Sequence, residues 1–89
     1  MATAIDNRPA DTLRERGGLK ATIWKNTNSS GRAFYSVEFN RTYKTEQGYA
    51  ETRSLRDSDL LVLAHLASKA YDRIGQLRAQ DNDNSAEAA

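Results

Sequence analysis

The sequence predicts an α+β domain of β-β-β-α order: a three-stranded antiparallel meander followed by one C-terminal helix packed on the sheet. Three observations predict it. Residues 32–44, Arg-Ala-Phe-Tyr-Ser-Val-Glu-Phe-Asn-Arg-Thr-Tyr-Lys, alternate in character, as a strand with two unlike faces must. Clusters of turn formers at Thr27–Gly31 and Thr45–Gly48 bracket that stretch and mark hairpins. Beyond residue 57, Leu60, Leu63, Ala67, Ala70 and Ile74 recur at helical spacing, the mark of an amphipathic helix.

Taken in order, residues 1–18 show no sustained period and read as a flexible N-terminal arm, with at most a brief helical turn over 11–16 and a hinge at Gly17-Gly18. The first strand is 19–26, with Leu19, Ala21 and Ile23 on one side and Lys20, Thr22 and Trp24 on the other. Through its turn it is expected to pair with about 31–38. In the central strand Ala33, Tyr35, Val37 and Phe39 face inward; Arg32, Phe34, Ser36, Glu38, Asn40, Thr42 and Lys44 face outward. The third strand, 49–56, is expected to pair with about 37–44. Each end of the central strand then has one neighbour. Leu55, next to the helix, sets the parity of this strand and places Thr52 and Ser54 outward.

Asp57, Ser58 and Asp59 supply cap candidates and negative charge at the positive end of the helix dipole. Gly75 is expected to end the helix, with a frayed turn through Arg78. Residues 79–89 read as a disordered acidic tail. The domain proper is therefore 19–78. By parity Arg41 and Tyr43 continue the core face, where an arginine is awkward. Either a bulge near Asn40 flips the alternation, or that end of the strand passes beyond the helix into solvent.

Composition narrows the function classes. The 89 residues contain no cysteine, which excludes disulfide frameworks, thiolate metal sites and cysteine nucleophiles. The one histidine, His65, sits among leucines without a second ligand at metal spacing, so no metal or other cofactor is expected. No phosphate-cradling glycine loop and no relay of serine, histidine and acid is evident, and the expectation is a non-enzyme. No signal peptide or membrane span is apparent, so a cytoplasmic location is expected. Net charge is +1, but residues 19–56 carry seven bases against three acids. The basic excess thus lies in the strands, where an anionic partner would need it.

The outward side of the sheet carries Trp24 and Phe34 among lysine, arginine, hydroxyl and amide groups. That combination suits single-stranded nucleic acid, because unpaired bases stack on rings while cations follow the phosphates. Trp24 and Phe34 are the expected stacking residues. Lys20, Lys25, Arg32, Arg41 and Lys44 are the expected phosphate ligands, with Asn40 and Tyr43 extending the surface. Duplex reading is less natural, since no basic recognition helix is present. Leu61 and Val62 widen the apolar arc of the helix, so a homodimer is expected through Leu61, Val62, His65 and Leu66. The alternative class is a protein-interaction module using the same face or the sheet edges.

The segments KATIWKN (20–26), FYSVEFNRTYK (34–44) and DLLVLAHLASKAYDRI (59–74) together resemble a group of small bacterial proteins of uncharacterised activity, often of plasmid or mobile-element type. A small inhibitor or regulator encoded by such an element is one form the protein-interaction class would take. More distantly, strands followed by one dimerising C-terminal helix are similar to the positive cofactor four (transcriptional coactivator) family. That resemblance rests on the strand ending in Arg41-Thr-Tyr-Lys44 and on the Leu55 strand end leading into an acidic-capped helix. It implies a dimer that binds single-stranded DNA on a curved sheet. The family has four strands before the helix, whereas only three are readable here.

Overall fold

A computed structural model describes residues 8–88, and side chains through Asn82. Strand β1 (Asp11–Glu15) leads through a helical turn at Arg16–Gly18 into β2 (Leu19–Thr27), β3 (Ala33–Thr45) and β4 (Gly48–Thr52). A second turn at Asp57–Asp59 opens helix α1 (Leu60–Ala88). The strands form one antiparallel sheet in the order β1-β2-β3-β4. The architecture is α+β with a C-terminal helix, as expected, but with four strands rather than three.

The added strand lies within what reads as a flexible arm. Thr12 pairs with Thr22 and Leu13 with Ala21. Its signal is hidden because only Leu13 on its inward side is apolar. Its other inward residues are charged, and the helix satisfies them: Arg73 Nε donates to Asp11 Oδ2 at 2.6 Å and Lys69 Nζ donates to Glu15 Oε2 at 2.7 Å. Those partners hold both carboxyls below the usual carboxylate range. Residues 1–7 of the expected arm lie outside the described residues.

Gly17-Gly18 is a tight corner, not a hinge. Both residues have positive φ, +80° and +81°, which favours glycine. A Cβ on Gly18 would stand 2.3 Å from the Thr42 carbonyl oxygen, so β1 turns into β2 directly against the backbone of β3.

The central strand is long because it serves two neighbours in succession. Residues 33–41 pair with β2, from Thr27↔Ala33 to Leu19↔Arg41, and residues 41–45 pair with β4. Each end therefore has one neighbour, as the turn positions predict, although the register with β2 is displaced from the expected 31–38. The alternation runs through Asn40 without a bulge. Strand β4 ends at Thr52, and residues 53–56 leave the ladder. Leu55 therefore does not set its parity: Ala50 and Thr52 pair with the inward Tyr43 and Arg41, which turns Tyr49 and Glu51 outward.

Leu19, Ala21 and Ile23 of β2 and Leu66 and Ala70 of α1 are fully buried and form the core. Leu13, Tyr35, Val37, Phe39, Val62, Leu63, Ile74 and Leu77 pack partly buried around it. Burying each large aliphatic side chain contributes about 1.5–3 kcal/mol. The helix packs chiefly on β1 and β2. Its start is organised by the buried Asp59, whose carboxylate accepts the Arg56 backbone N–H at 2.9 Å and Arg56 Nη2 at 3.1 Å. Arg56 holds the Asp59 carboxyl below its usual range. The helix does not stop at Gly75. Gln76–Gln80 are good helix formers, and Leu77 joins the core, outweighing the roughly 1 kcal/mol cost of an interior glycine. Residues 79–88, read as a disordered tail, continue as helix.

Replacing Gly18 by alanine should destabilise the fold by about 2–4 kcal/mol, through positive φ and the clash with Thr42. Gly31→Ala, where a Cβ meets nothing within 4 Å, should cost less. Urea unfolding of the two variants measures the difference.

Candidate nucleic-acid interface

Helix α1 covers one side of the sheet, and the other side carries the candidate site. Register places Thr12 and Arg14 of β1, Lys20, Thr22, Trp24 and Asn26 of β2, and Tyr49 and Glu51 of β4 on this outer face, with the outward side of β3 between them. No aliphatic side chain is among them. Three rings are. Trp24 is half-buried, Phe34 is 46% exposed and Tyr49 is 76% exposed. The indole therefore lies opposite the core, as the alternation of 19–26 predicts.

The polar groups around the rings are knitted together. Trp24 Nε1 donates to Glu38 Oε1 at 3.1 Å, and Asn26 Nδ2 donates to Ser36 Oγ at 3.0 Å. Lys20 Nζ pairs with Glu51 across β3. Two carboxylates thus sit among three cations. Arg14 and Lys44 are exposed and have no ion pair among the described residues, whereas Lys20 is already neutralised.

The structure separates the residues expected to bind nucleic acid. Lys20, Trp24, Phe34, Asn40 and Lys44 do share the outer face. Lys25, Arg41 and Tyr43 have the opposite parity and lie on the helix side. Lys25 Nζ bonds Asp81 Oδ1 of α1 at 2.9 Å. Arg41 Nε lies 3.7 Å from Asp59 Oδ2 and donates to the Ser54 carbonyl at 3.3 Å, with its guanidinium 5.7 Å from the Tyr43 ring centre. Neither account of Arg41 holds: the alternation continues without a bulge, and the Arg41 side chain, only 18% exposed, meets the buried Asp59 at the start of the helix instead of passing into solvent. Arg32, in the turn, lines a pocket on the helix side with Lys25, Tyr35 and Arg78.

Arg14 and Tyr49 join the outer face although sequence reasoning did not place them there. Arg14 belongs to the strand hidden in the arm. The side that Tyr49 takes is set by the Gly48 turn, through Thr45↔Gly48 and Lys44↔Tyr49, and not by Leu55. Nor do the four expected interface residues share one surface. Leu66 is fully buried in the monomer's own core, and Val62 packs against it. Leu61 is 84% exposed, and His65 Nε2 lies 3.5 Å from Glu15 Oε2.

No protein family, curated protein or solved structure matches the chain. Among the described residues, no helix is long and apolar enough to cross a membrane, and no three histidine, cysteine or acidic residues are grouped to hold a metal ion.

Because the Trp24 ring packs outside the core, Trp24→Ala should change stability by only about 1 kcal/mol. Its chain neighbour Ile23, turned inward, should cost about 2–5 kcal/mol on truncation to alanine. Thermal unfolding of both variants tests which side each residue serves.

Proposed function

We propose that this protein binds single-stranded nucleic acid on its outer sheet face, as a homodimer. The observation that carries the binding reading is a solvent-facing sheet surface that, among the described residues, has three aromatic rings and no aliphatic side chain. Rings set among hydroxyls, amides and cations suit base stacking with phosphate neutralisation. Arg14 and Lys44 are the uncommitted cations, and Lys20 becomes available when a phosphate replaces Glu51. Four strands before the helix also bring the strand count level with the positive cofactor four family.

The dimer reading rests on a different apolar surface from the one the sequence singles out. Lys69, His65 and Arg73 turn one flank of α1 toward Glu15 and Asp11 of β1. The other flank therefore overlooks β3, and it carries Leu60, Leu63, Ala67, Tyr71 and Ile74. Leu60 and Ala67 are exposed and Tyr71 is 81% exposed. The stripe is symmetric: its outer members stand four and seven residues on either side of Ala67. An antiparallel second copy crossing at Ala67 would set Leu60 against Ile74 and Leu63 against Tyr71, the self-complementary pattern of a two-fold interface. Each helix would then cover the partner's half-open β3 face, where Val37 and Phe39 are half-buried and Tyr43 is exposed. A standard interface needs roughly 800 Å² from each partner, so both the stripe and this face are required. A core of five fully buried apolar residues among those described is small for independent stability, which favours such association.

A protein partner is the second reading, favoured by one observation. On its β4 side, β3 is unpaired from Ala33 to Asn40 among the described residues, a free edge suited to strand addition.

Titration with oligo-dT at low salt should quench Trp24 fluorescence. Trp24→Ala should weaken binding by about 1–3 kcal/mol, and Lys44→Ala should lower the salt slope by about one unit. Absence of binding below about 100 micromolar at low salt, or salt-independent binding, overturns the nucleic-acid reading and leaves the β3 edge as the functional surface.

Sedimentation at micromolar concentration should show a dimer that Ala67→Glu converts to monomer, while Leu61→Glu leaves it intact. A wild-type monomer overturns the two-fold interface.

A further inference from the structure

Where α1 passes the β2–β3 hairpin, a pocket of about 520 Å³ opens on the helix side of the sheet, lined by Lys25, Arg32, Tyr35, Arg78, Asp81 and Asn82. Its walls come from three places. Lys25 and Tyr35 are paired across β2 and β3 and share the inward parity. Arg32 follows Gly31, whose φ of +86° turns the hairpin. Arg78 and Asp81 lie about one turn apart on α1. Three cations and one carboxylate thus line the same pocket.

That carboxylate is the group the pocket holds. Lys25 Nζ donates to Asp81 Oδ1 at 2.9 Å, and the Tyr35 hydroxyl donates to Asp81 Oδ2 at 2.5 Å. Arg32 and Arg78 have no ion pair among the described residues. The pocket is larger than a carboxylate requires, and two guanidinium groups in it remain unspent. A ligand that satisfies all four donors needs several acceptor oxygens and more than one negative charge. A phosphate group has both, and guanidinium forks bind its oxygens two at a time.

We propose that this pocket is a phosphate site, closed in the free chain by Asp81 acting as an internal stand-in for the ligand. Binding a phosphate releases Asp81 from Lys25 and Tyr35 and engages Arg32 and Arg78. Burial, and then Asp81, push the Tyr35 phenol up to about 12, so it remains a donor at neutral pH. Tyr35 and Lys25 hold the Asp81 carboxyl below its usual range, so the plug stays charged and is displaced by competition, not by protonation. Lys25 and Asp81 are both partly exposed. An ion pair of that exposure shifts an equilibrium only about two- to fivefold, a closure that a phosphate can overcome. The site faces away from the outer sheet surface, so its test is separate from that of the nucleic-acid reading.

Amide NMR of the full chain, titrated with inorganic phosphate at constant ionic strength, decides the matter. The amides of Gly31, Arg32, Ala33 and Tyr35 should shift. The midpoint should fall about two- to fivefold in Asp81→Asn and rise in Arg32→Ala, a turn residue outside the core. A parallel titration with oligo-dT lacking terminal phosphates identifies the source of the ligand. Shifts at these amides with both probes mark a nucleic-acid backbone phosphate, and shifts with inorganic phosphate alone mark a free phosphate; either supports the site. Unmoved amides at tens of millimolar phosphate, or equal midpoints in wild type and Asp81→Asn, overturn it, whatever Trp24 reports about the outer face.

Discussion

The arrangement depends on one helix packing on half of a sheet. With its side chains an α-helix is about 10–12 Å wide, and neighbouring strands lie about 4.8 Å apart. One helix therefore covers about two strands. Here those are β1 and β2, where Leu66 and Ala70 close on Leu19, Ala21 and Ile23. The helix side of β3 is left half-open, with Val37 and Phe39 only partly buried, and the outer face is untouched. Each candidate surface follows from that placement: the ring-bearing outer face, the apolar step between α1 and β3, and the pocket where the helix runs past the hairpin.

Charge is distributed by register as much as by composition. Lys25 and Trp24 are adjacent in sequence, yet parity sends the lysine to Asp81 on the helix side and the indole to Glu38 on the outside. The same rule pairs Lys20 with Glu51 once β4 is aligned through Thr42↔Glu51. The strand-rich part of the chain is basic, but its cations are divided between the two sides and several already have carboxylate partners. What an anion meets on either side is therefore a competition with the chain's own acids.

Much of the fold is legible where one residue's neighbours in sequence are also its physical context. The alternation in 19–26 and 32–44 identifies two strands, their inward sets and the outward Trp24, because a strand facing a core on one side and water on the other must alternate. The stripe from Leu60 to Ile74 identifies the helix for the same reason. Strand β1 escapes because Asp11 and Glu15 look like surface residues. They become acceptable inward residues only when Arg73 and Lys69, far along the chain, arrive beside them. Gly75 misleads in the opposite sense: a local breaker is overruled because Leu77 has a core to join. The candidate site was half legible for a similar reason. Which residues share a strand face can be counted, but where β4 leaves the ladder cannot, and that decides the parity of Tyr49 and Glu51.

By itself the sequence determined the α+β class, the helix and its start, the two central strands, and the side on which the indole stands. These follow from periodicity, which burial imposes on consecutive residues. Only the tertiary structure decided the fourth strand, the way β4 faces, the uncovered half of the sheet, and the meeting of Asp81 with Lys25 and Tyr35. Those depend on contacts between residues dozens of positions apart, and such contacts leave no period in the chain to read.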